Sequence, residues 1–237
     1  MKSSIVKASI VSLAVPALVL LVAVSCGGDG GEEDSGFVQT GRTPLPGAAE
    51  LPARAGDFAT LCKKSTEKQF TAPVTVIDPT RDYVATITTE KGDIKVQLNP
   101  QAAPVTVNSF VFLACSGFYD GVTFHRVLPG FVAQGGDPAG TGAGGPGYTL
   151  PDEFSDIPFS EGTLAMAKTS APNSGGSQFF ICYDLSPESA AALNGNYTVF
   201  GKVTGGMDVV DKLTPRDPQT NPTTPGDKIL GITVKEY

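Results

Sequence analysis

The chain has 237 residues, long enough for one sizeable domain with appendages. Its 28 glycines, 19 prolines, 17% charged residues and lack of tryptophan argue against a helical bundle and for a turn-rich β domain. A formal net charge of −7 leaves no basic surface to neutralise phosphates, which excludes nucleic acid as a partner.

Residues 1–25 read as a signal peptide. Lys2 and Lys7 make a positive start, and Ile10 to Val24 is an apolar run too short, and too broken by Pro16, for a comfortable membrane span. The run ends in Ala23-Val24-Ser25-Cys26, which resembles the bacterial lipobox, with Ala23 where leucine is commoner. In that motif the cysteine is lipidated and becomes the mature N-terminus. Residues 26–56, rich in Gly, Pro, Ala and acidic residues, read as a flexible tether spanning roughly 30 Å on average. The expectation is an extracytoplasmic lipoprotein held at the membrane through Cys26.

Export permits disulfides. Cys182 reads as a small buried hydrophobe, which leaves Cys62 and Cys115 as the pair to consider; spacing alone leaves both a bridge and free thiols open. Residues 57–82 hold a cysteine, aromatics and lysines without a clear period, and read as an N-terminal extension at the edge of a domain spanning 83–237.

Within that domain, Tyr83–Thr89 and Asp93–Leu98 are β-rich segments around a Glu90-Lys91-Gly92 turn. Ala103 to Ser116 has a helical pattern: Pro104 suits the first turn, Val107, Phe110, Val111 and Ala114 share a face, and Gly117 suits the C-terminal cap. Strands are expected at 122–127, 131–134, 163–167, 178–183, 197–203 and 228–235. Residues 187–193 suggest a short helical turn and 207–213 a second helix. Many short strands with two helices point to a mainly β fold, a closed antiparallel barrel capped by two α-helices. In the strand at 178–183, alternation puts Phe179 and Ile181 on one face and Gln178 and Phe180 on the other.

Three stretches carry a family resemblance: Phe124-His125-Arg126-Val127 with Pro129-Gly130-Phe131 and Gln134-Gly135-Gly136-Asp137; Gly176-Ser177-Gln178-Phe179-Phe180-Ile181; and Leu193-Asn194-Gly195-Asn196-Tyr197-Thr198-Val199-Phe200-Gly201. In this order they closely resemble the cyclophilins, the peptidyl-prolyl cis-trans isomerases, over the whole of 83–237. The resemblance implies eight strands for the barrel and an external groove. It makes Arg126 the catalytic residue. It assigns the proline pocket to Phe131, Val132, Phe180 and Leu193, and substrate hydrogen bonds to Gln134, Gln178 and the backbone at Ala167 and Lys168. Tyr197 stands where many members have histidine.

Those residue types suit the chemistry. Rotation about an Xaa-Pro bond forms and breaks no covalent bond, so no cofactor is called for. It needs an apolar seat for the ring, backbone donors and acceptors, and a fixed cation for the twisted amide. Other chemistries lack their residues. His125 is the one histidine, no Gly-x-Ser-x-Gly elbow occurs, and no metal-ligand cluster is spaced for zinc. The expected protein is a monomer acting on proline-containing stretches of exported polypeptides. The rival is a chaperone or scaffold module that holds such segments with little turnover.

Overall fold

The computed structural model describes residues 51–220, 223 and 225–237. The expected signal segment, Cys26 and the expected tether up to residue 50 lie outside the described residues.

Strand β1 (Tyr83–Thr89) turns directly into β2 (Gly92–Leu98), with Thr89 paired to Gly92. Alternation buries Tyr83, Ala85, Ile87 and Thr89 from β1, and Ile94, Val96 and Leu98 from β2. Helix α1 (Phe58–Leu61) is a single turn ahead of them. Helix α2 (Pro104–Cys115) follows, then β3 (Arg126–Leu128), β4 (Val132–Gly135), β5 (Thr163–Met166), β6 (Phe179–Cys182), helix α3 (Pro187–Leu193), β7 (Val199–Gly205), helix α4 (Met207–Val210) and β8 (Ile229–Glu236). The eight strands make one sheet in the order β3-β4-β6-β5-β7-β2-β1-β8, with every neighbouring pair antiparallel.

Three expectations need correction. The strand expected over 122–127 is only Arg126–Leu128. Thr123 instead makes single bridges to both Asp137 and Lys228, so this stretch spans between segments rather than joining a ladder. The end strands β3 and β8 have no ladder between them. The helix expected over 207–213 is one turn, α4, entered through the left-handed Gly206 and followed by hydrogen-bonded turns at Lys212 and Leu213. With α1 and α3, four helices rather than two are present among the described residues.

Both faces of the sheet are buried locally. The main core takes Ala133, Leu164, Met166, Phe179, Ile181 and Phe200 together with Val107, Phe110, Val111 and Leu113 of α2. A second cluster takes the alternate residues, Val132, Ala165, Phe180, Cys182 and Val199, with Phe159 and Leu193. Successive residues go to opposite faces of a strand, so each of these short strands feeds both clusters.

Helix α2 is buried on most of its surface, which leaves its ends to be satisfied by protein. Its N-cap, Ala103, has no side-chain oxygen. The carboxylate of Glu153, 3% exposed, takes that role, accepting from Val105 N (3.0 Å) and Thr106 N (2.8 Å). At the other end Gly117, at φ +72°, reverses the chain so that its own N–H reaches Ala114 O and Phe118 N reaches Leu113 O.

The segment ahead of β1 is welded onto α2. Cys62 and Cys115 form a disulfide with Cα atoms 4.7 Å apart. By the chain-entropy account, closing that loop stabilises the fold by about 4 kcal/mol. Lys68 Nζ donates to Gly117 O (2.7 Å) and Phe118 O (2.8 Å), just past the end of the helix. Asn108 Oδ1 accepts from Val76 N (2.8 Å), and Val76 and Ile77 lie inside the main core. No helix among the described residues is long and apolar enough to cross a membrane.

Replacing Glu153 by Ala leaves two helix-terminal N–H groups, that of Thr106 buried and that of Val105 partly so, without an acceptor. The expected cost is roughly 1–2 kcal/mol, read as a lower urea midpoint at unchanged slope. An unchanged midpoint would show that the start of α2 is satisfied by other groups.

Candidate active site

The register assembles a row of side chains across five strands. Arg126 on β3 lies opposite Gln134 on β4, Gln134 opposite Phe180 on β6, Phe180 opposite Ala165 on β5, and Ala165 opposite Val199 on β7. Directly paired residues point to the same face. The row therefore puts a cation, an amide and an aromatic ring side by side, at strand spacings of about 4.8 Å. The turn joining β3 to β4 brings Phe131 round so that the Arg126 guanidinium sits 5.7 Å from its ring centroid. This is cation–π geometry that steadies the arginine without neutralising it.

Beside the row is the second apolar cluster. Phe180, 4% exposed, is stacked on Phe159 (6.1 Å, 16°) and takes the edge of Tyr197 (5.5 Å, 87°). Val132 and Leu193 are buried with it, and Phe131, Ala167 and Tyr197 are half-exposed around it. Leu193 arrives as the last residue of α3. That helix is started by Ser186, whose hydroxyl accepts from Ser189 N, with Pro187 in the first turn.

On the other side of Gln134 the surface turns polar. Gln178 Nε2 faces two carbonyls, Gly142 O (3.0 Å) and Gly144 O (2.8 Å), which fixes its amide orientation. Its Oε1 therefore accepts from Gln134 Nε2 at 2.9 Å. Gln178 is fully committed to protein partners, whereas Gln134 Oε1 has no protein donor among the described residues. Ala167 N donates to Gln178 O (2.9 Å). The Lys168 ammonium pairs with Asp152 (2.8 Å) and lies 5.1 Å from the centroid of the Phe154 ring. These residues border an open groove of about 620 Å³ whose walls include Gln69, Gln134, Lys168, Thr169 and Gln178.

The glycine-rich wall of that groove hangs on Asp137. Its carboxylate, 1% exposed, accepts from Ala139 N (2.7 Å), Thr141 N (2.9 Å) and Gly142 N (2.6 Å). Burial by itself pushes this carboxyl upward. The backbone N–H groups of Ala139, Gly144, Gly142 and Thr141 outweigh it and hold the pKa below the ordinary aspartate value. His125 is buried between Asp137 and Arg216, whose guanidinium donates to the His125 carbonyl. Neither ring nitrogen has a hydrogen-bond partner among the described residues. Burial, opposed by Asp137, lowers its pKa, so the ring is neutral near pH 7.

The structure thus brings Arg126, Phe131, Val132, Gln134, Ala167, Gln178, Phe180, Leu193 and Tyr197 around one surface, with Lys168 at its polar end. Cys62 and Cys115 lie away from it at the end of α2, and Cys26 is outside the described residues. Sequence reasoning missed Asp137 as the anchor of the loop, although Asp ahead of a Gly-rich stretch is a turn signal. It also missed Gln69, which carries no local signal at all. Among the described residues no cluster of His, Cys, Asp or Glu could hold a metal ion.

The family model for cyclophilin type peptidyl-prolyl cis-trans isomerase/CLD matches residues 83–234. A peptidyl-prolyl cis-trans isomerase of Synechococcus elongatus is 53% identical over 118 residues, covering 50% of this chain and 78% of that protein. Peptidyl-prolyl cis-trans isomerase B of Bacillus subtilis is 51% identical over 126 residues, covering 52% of this chain and 85% of that protein. Among solved structures, a Cryptosporidium parvum cyclophilin type isomerase in the presence of the dipeptide Ala-Pro is similar with a TM-score of 0.58 and 36% identity. That match covers 65% of this chain and 99% of the other.

Asp137→Asn keeps the shape but replaces acceptor lone pairs by donors facing three N–H groups. Stability at pH 7 should fall by about 1–3 kcal/mol. Because the folded carboxyl is depressed, its contribution is full above the unfolded pKa of about 3.9 and is lost as pH falls through the folded value. The gap between wild type and variant in urea midpoint should therefore shrink as pH drops below about 4. A gap independent of pH would show that the charge of Asp137 plays no part.

Proposed function

Because this chain belongs to the cyclophilin-type peptidyl-prolyl cis-trans isomerases, we propose that Arg126 is its catalytic residue and that the cluster around Phe180 seats the substrate's proline ring. The observation that carries this is the transverse row Arg126–Gln134–Phe180, which puts a permanent cation beside an apolar seat with a free amide oxygen between them.

The reaction is rotation about an Xaa-Pro peptide bond, opposed by a barrier of about 18–20 kcal/mol from amide resonance. Halfway through the rotation that resonance is lost, and the prolyl nitrogen becomes pyramidal and basic. A guanidinium donating to it stabilises the twisted state more than either planar state, which is what lowers the barrier. Arginine suits this because it stays charged and its donors form a rigid fork. Its place over the Phe131 ring holds it ready before substrate arrives.

Phe131, Val132, Phe180 and Leu193 hold the pyrrolidine ring by apolar burial, and Tyr197 closes the wall. Gln134 Oε1 accepts from the substrate backbone, and Ala167 with Lys168 offers main-chain groups along the same edge. Gln178 binds by proxy: it orients Gln134 and pins the loop at Gly142 and Gly144. Holding one side of the bond confines the rotation to the other.

The sheet closes into a barrel through the stretch from Gly121 to Val127. This is supported by Ile229 N donating to Val122 O, Phe124 N to Asp227 O, and the exchange between Val127 and Arg216. The enzyme is proposed to work as a monomer. It acts outside the cytoplasm on exported polypeptides, assisting their folding, and is held at the membrane by a lipid on Cys26. The apolar run, the Ala23-Val24-Ser25-Cys26 motif and the tether support that placement.

Arg126→Ala should lower kcat/KM for a Xaa-Pro peptide by about 10²- to 10³-fold, as removal of a transition-state donor does elsewhere, in a protease-coupled isomerisation assay. Peptide binding by the wild type without rate enhancement would instead favour the holding module. Separately, Cys26→Ser should move the protein from the membrane to the soluble fraction. Retention in the membrane fraction would sink the lipid anchor.

A further inference from the structure

We propose that the disulfide-stapled arm of residues 62–70 is a specificity element of this enzyme, and that Gln69 reads the substrate side chain two residues before the proline. The proposal rests on the isomerase reading above. The arm precedes residues 83–234, the part that matches the family.

The arm is fixed at several points. Cys62 is bonded to Cys115, Ser65 N donates to Ser116 O (2.9 Å), and Lys64 pairs with Asp120. Lys68 holds the carbonyls of Gly117 and Phe118, and Phe70 packs edge-on against Phe112 (5.1 Å, 76°). Having passed the end of α2, the arm meets the glycine-rich loop. Phe70 N donates to Pro146 O (2.7 Å), and Gln69 Nε2 donates to Gly145 O (3.0 Å). The approach is close enough that a Cβ on Gly147, itself at φ +99°, would lie 2.6 Å from Phe70 O. The loop can carry no side chain there, because the arm occupies the space.

This contact makes Gln69 a wall of the groove beyond Gln134 and Gln178. An extended peptide turns alternate side chains to the same side at about 7 Å intervals. With the proline ring in the Phe180 cluster and its backbone at Gln134, the side chain two positions away reaches into this groove. The groove offers hydrogen-bonding groups and no free charge. Lys168 is its one charged lining residue and is neutralised by Asp152, and both side chains are only 13% exposed. The Gln69 amide has its nitrogen engaged by Gly145 O, and its Oε1 has no protein donor among the described residues. The side chains it favours are therefore uncharged hydrogen-bond donors of modest size, such as Asn, Gln and Ser.

The test uses the full-length protein and peptides of the form Xaa-Ala-Pro-Phe, with Xaa as Asn, Ala, Glu or Lys, in the protease-coupled assay. A control series varies the residue after the proline. For the wild type, kcat/KM should favour Asn over Ala at Xaa by about threefold, the value of one net hydrogen bond. Gln69→Ala should bring that ratio to near parity. Gln69→Glu should raise the Lys-to-Ala ratio about threefold at low salt, and the gain should fade in 1 M salt. Gln69 is exposed, so neither substitution threatens folding. Unchanged ratios in both variants, or an equal loss on every peptide, would overturn the proposal while leaving the isomerase reading intact. So would a change confined to the control series. Absence of turnover by the wild type on every peptide would overturn both.

Discussion

Phe179 and Phe180 are adjacent in the chain, and neither faces water. Phe179 packs in the main core against Phe110 of α2 at 5.6 Å, edge to face, while Phe180 packs in the outer cluster between Phe159 and Tyr197. The rest of the molecule depends on this two-sided burial. One face of the strand fixes the sheet to the helix. The other is thereby held rigid as an apolar surface, and a register slip of one residue would exchange the two. The same alternation repeats at Val132 and Ala133, at Leu164 and Ala165, and at Val199 and Phe200.

An apolar surface is only half of the proposed site; the polar half must be equally fixed. Here the fixing is serial. Asp137 gathers the backbone N–H groups of the loop, the loop presents the carbonyls of Gly142 and Gly144, Gln178 binds those carbonyls, and Gln134 is oriented by Gln178. Only the last amide keeps an oxygen free. Donors and acceptors set in advance cost no reorganisation when the substrate's amide twists, which is the condition for electrostatic stabilisation to count toward rate.

The C-terminal end of α2 is the second organising point. A left-handed glycine ends the helix there, and the arm's disulfide, its lysine and a backbone hydrogen bond all converge on residues 115–118. Partial burial lowers the pKa of Lys68, with Asp120 opposing, and two carbonyls accept from its ammonium. The arm leaves this anchor and reaches the groove within two residues. A staple at the helix end and a wall of the polar groove are thus parts of one short segment.

What the sequence by itself determined was local and periodic. Alternation identified most of the strands and assigned the two faces of β6; Pro104 and Gly117 bounded α2; and three ordered motifs identified the family and pointed to Arg126, Phe131, Gln134 and Phe180 as candidates. These signals are readable because period, cap chemistry and motif act over a few neighbouring residues. What only the tertiary structure decided was long-range. The cap on α2 comes from Glu153, 48 residues from Val105. The pairing of Cys62 with Cys115 depends on where the extension lies, the stretch at 122–125 leaves the ladder to bridge two others, and Gln178 turns out to be fully occupied by protein. Gln69 reaches Gly145 across 76 residues. No local pattern encodes such contacts, because each exists only once burial has brought distant backbone groups together and left each needing a partner.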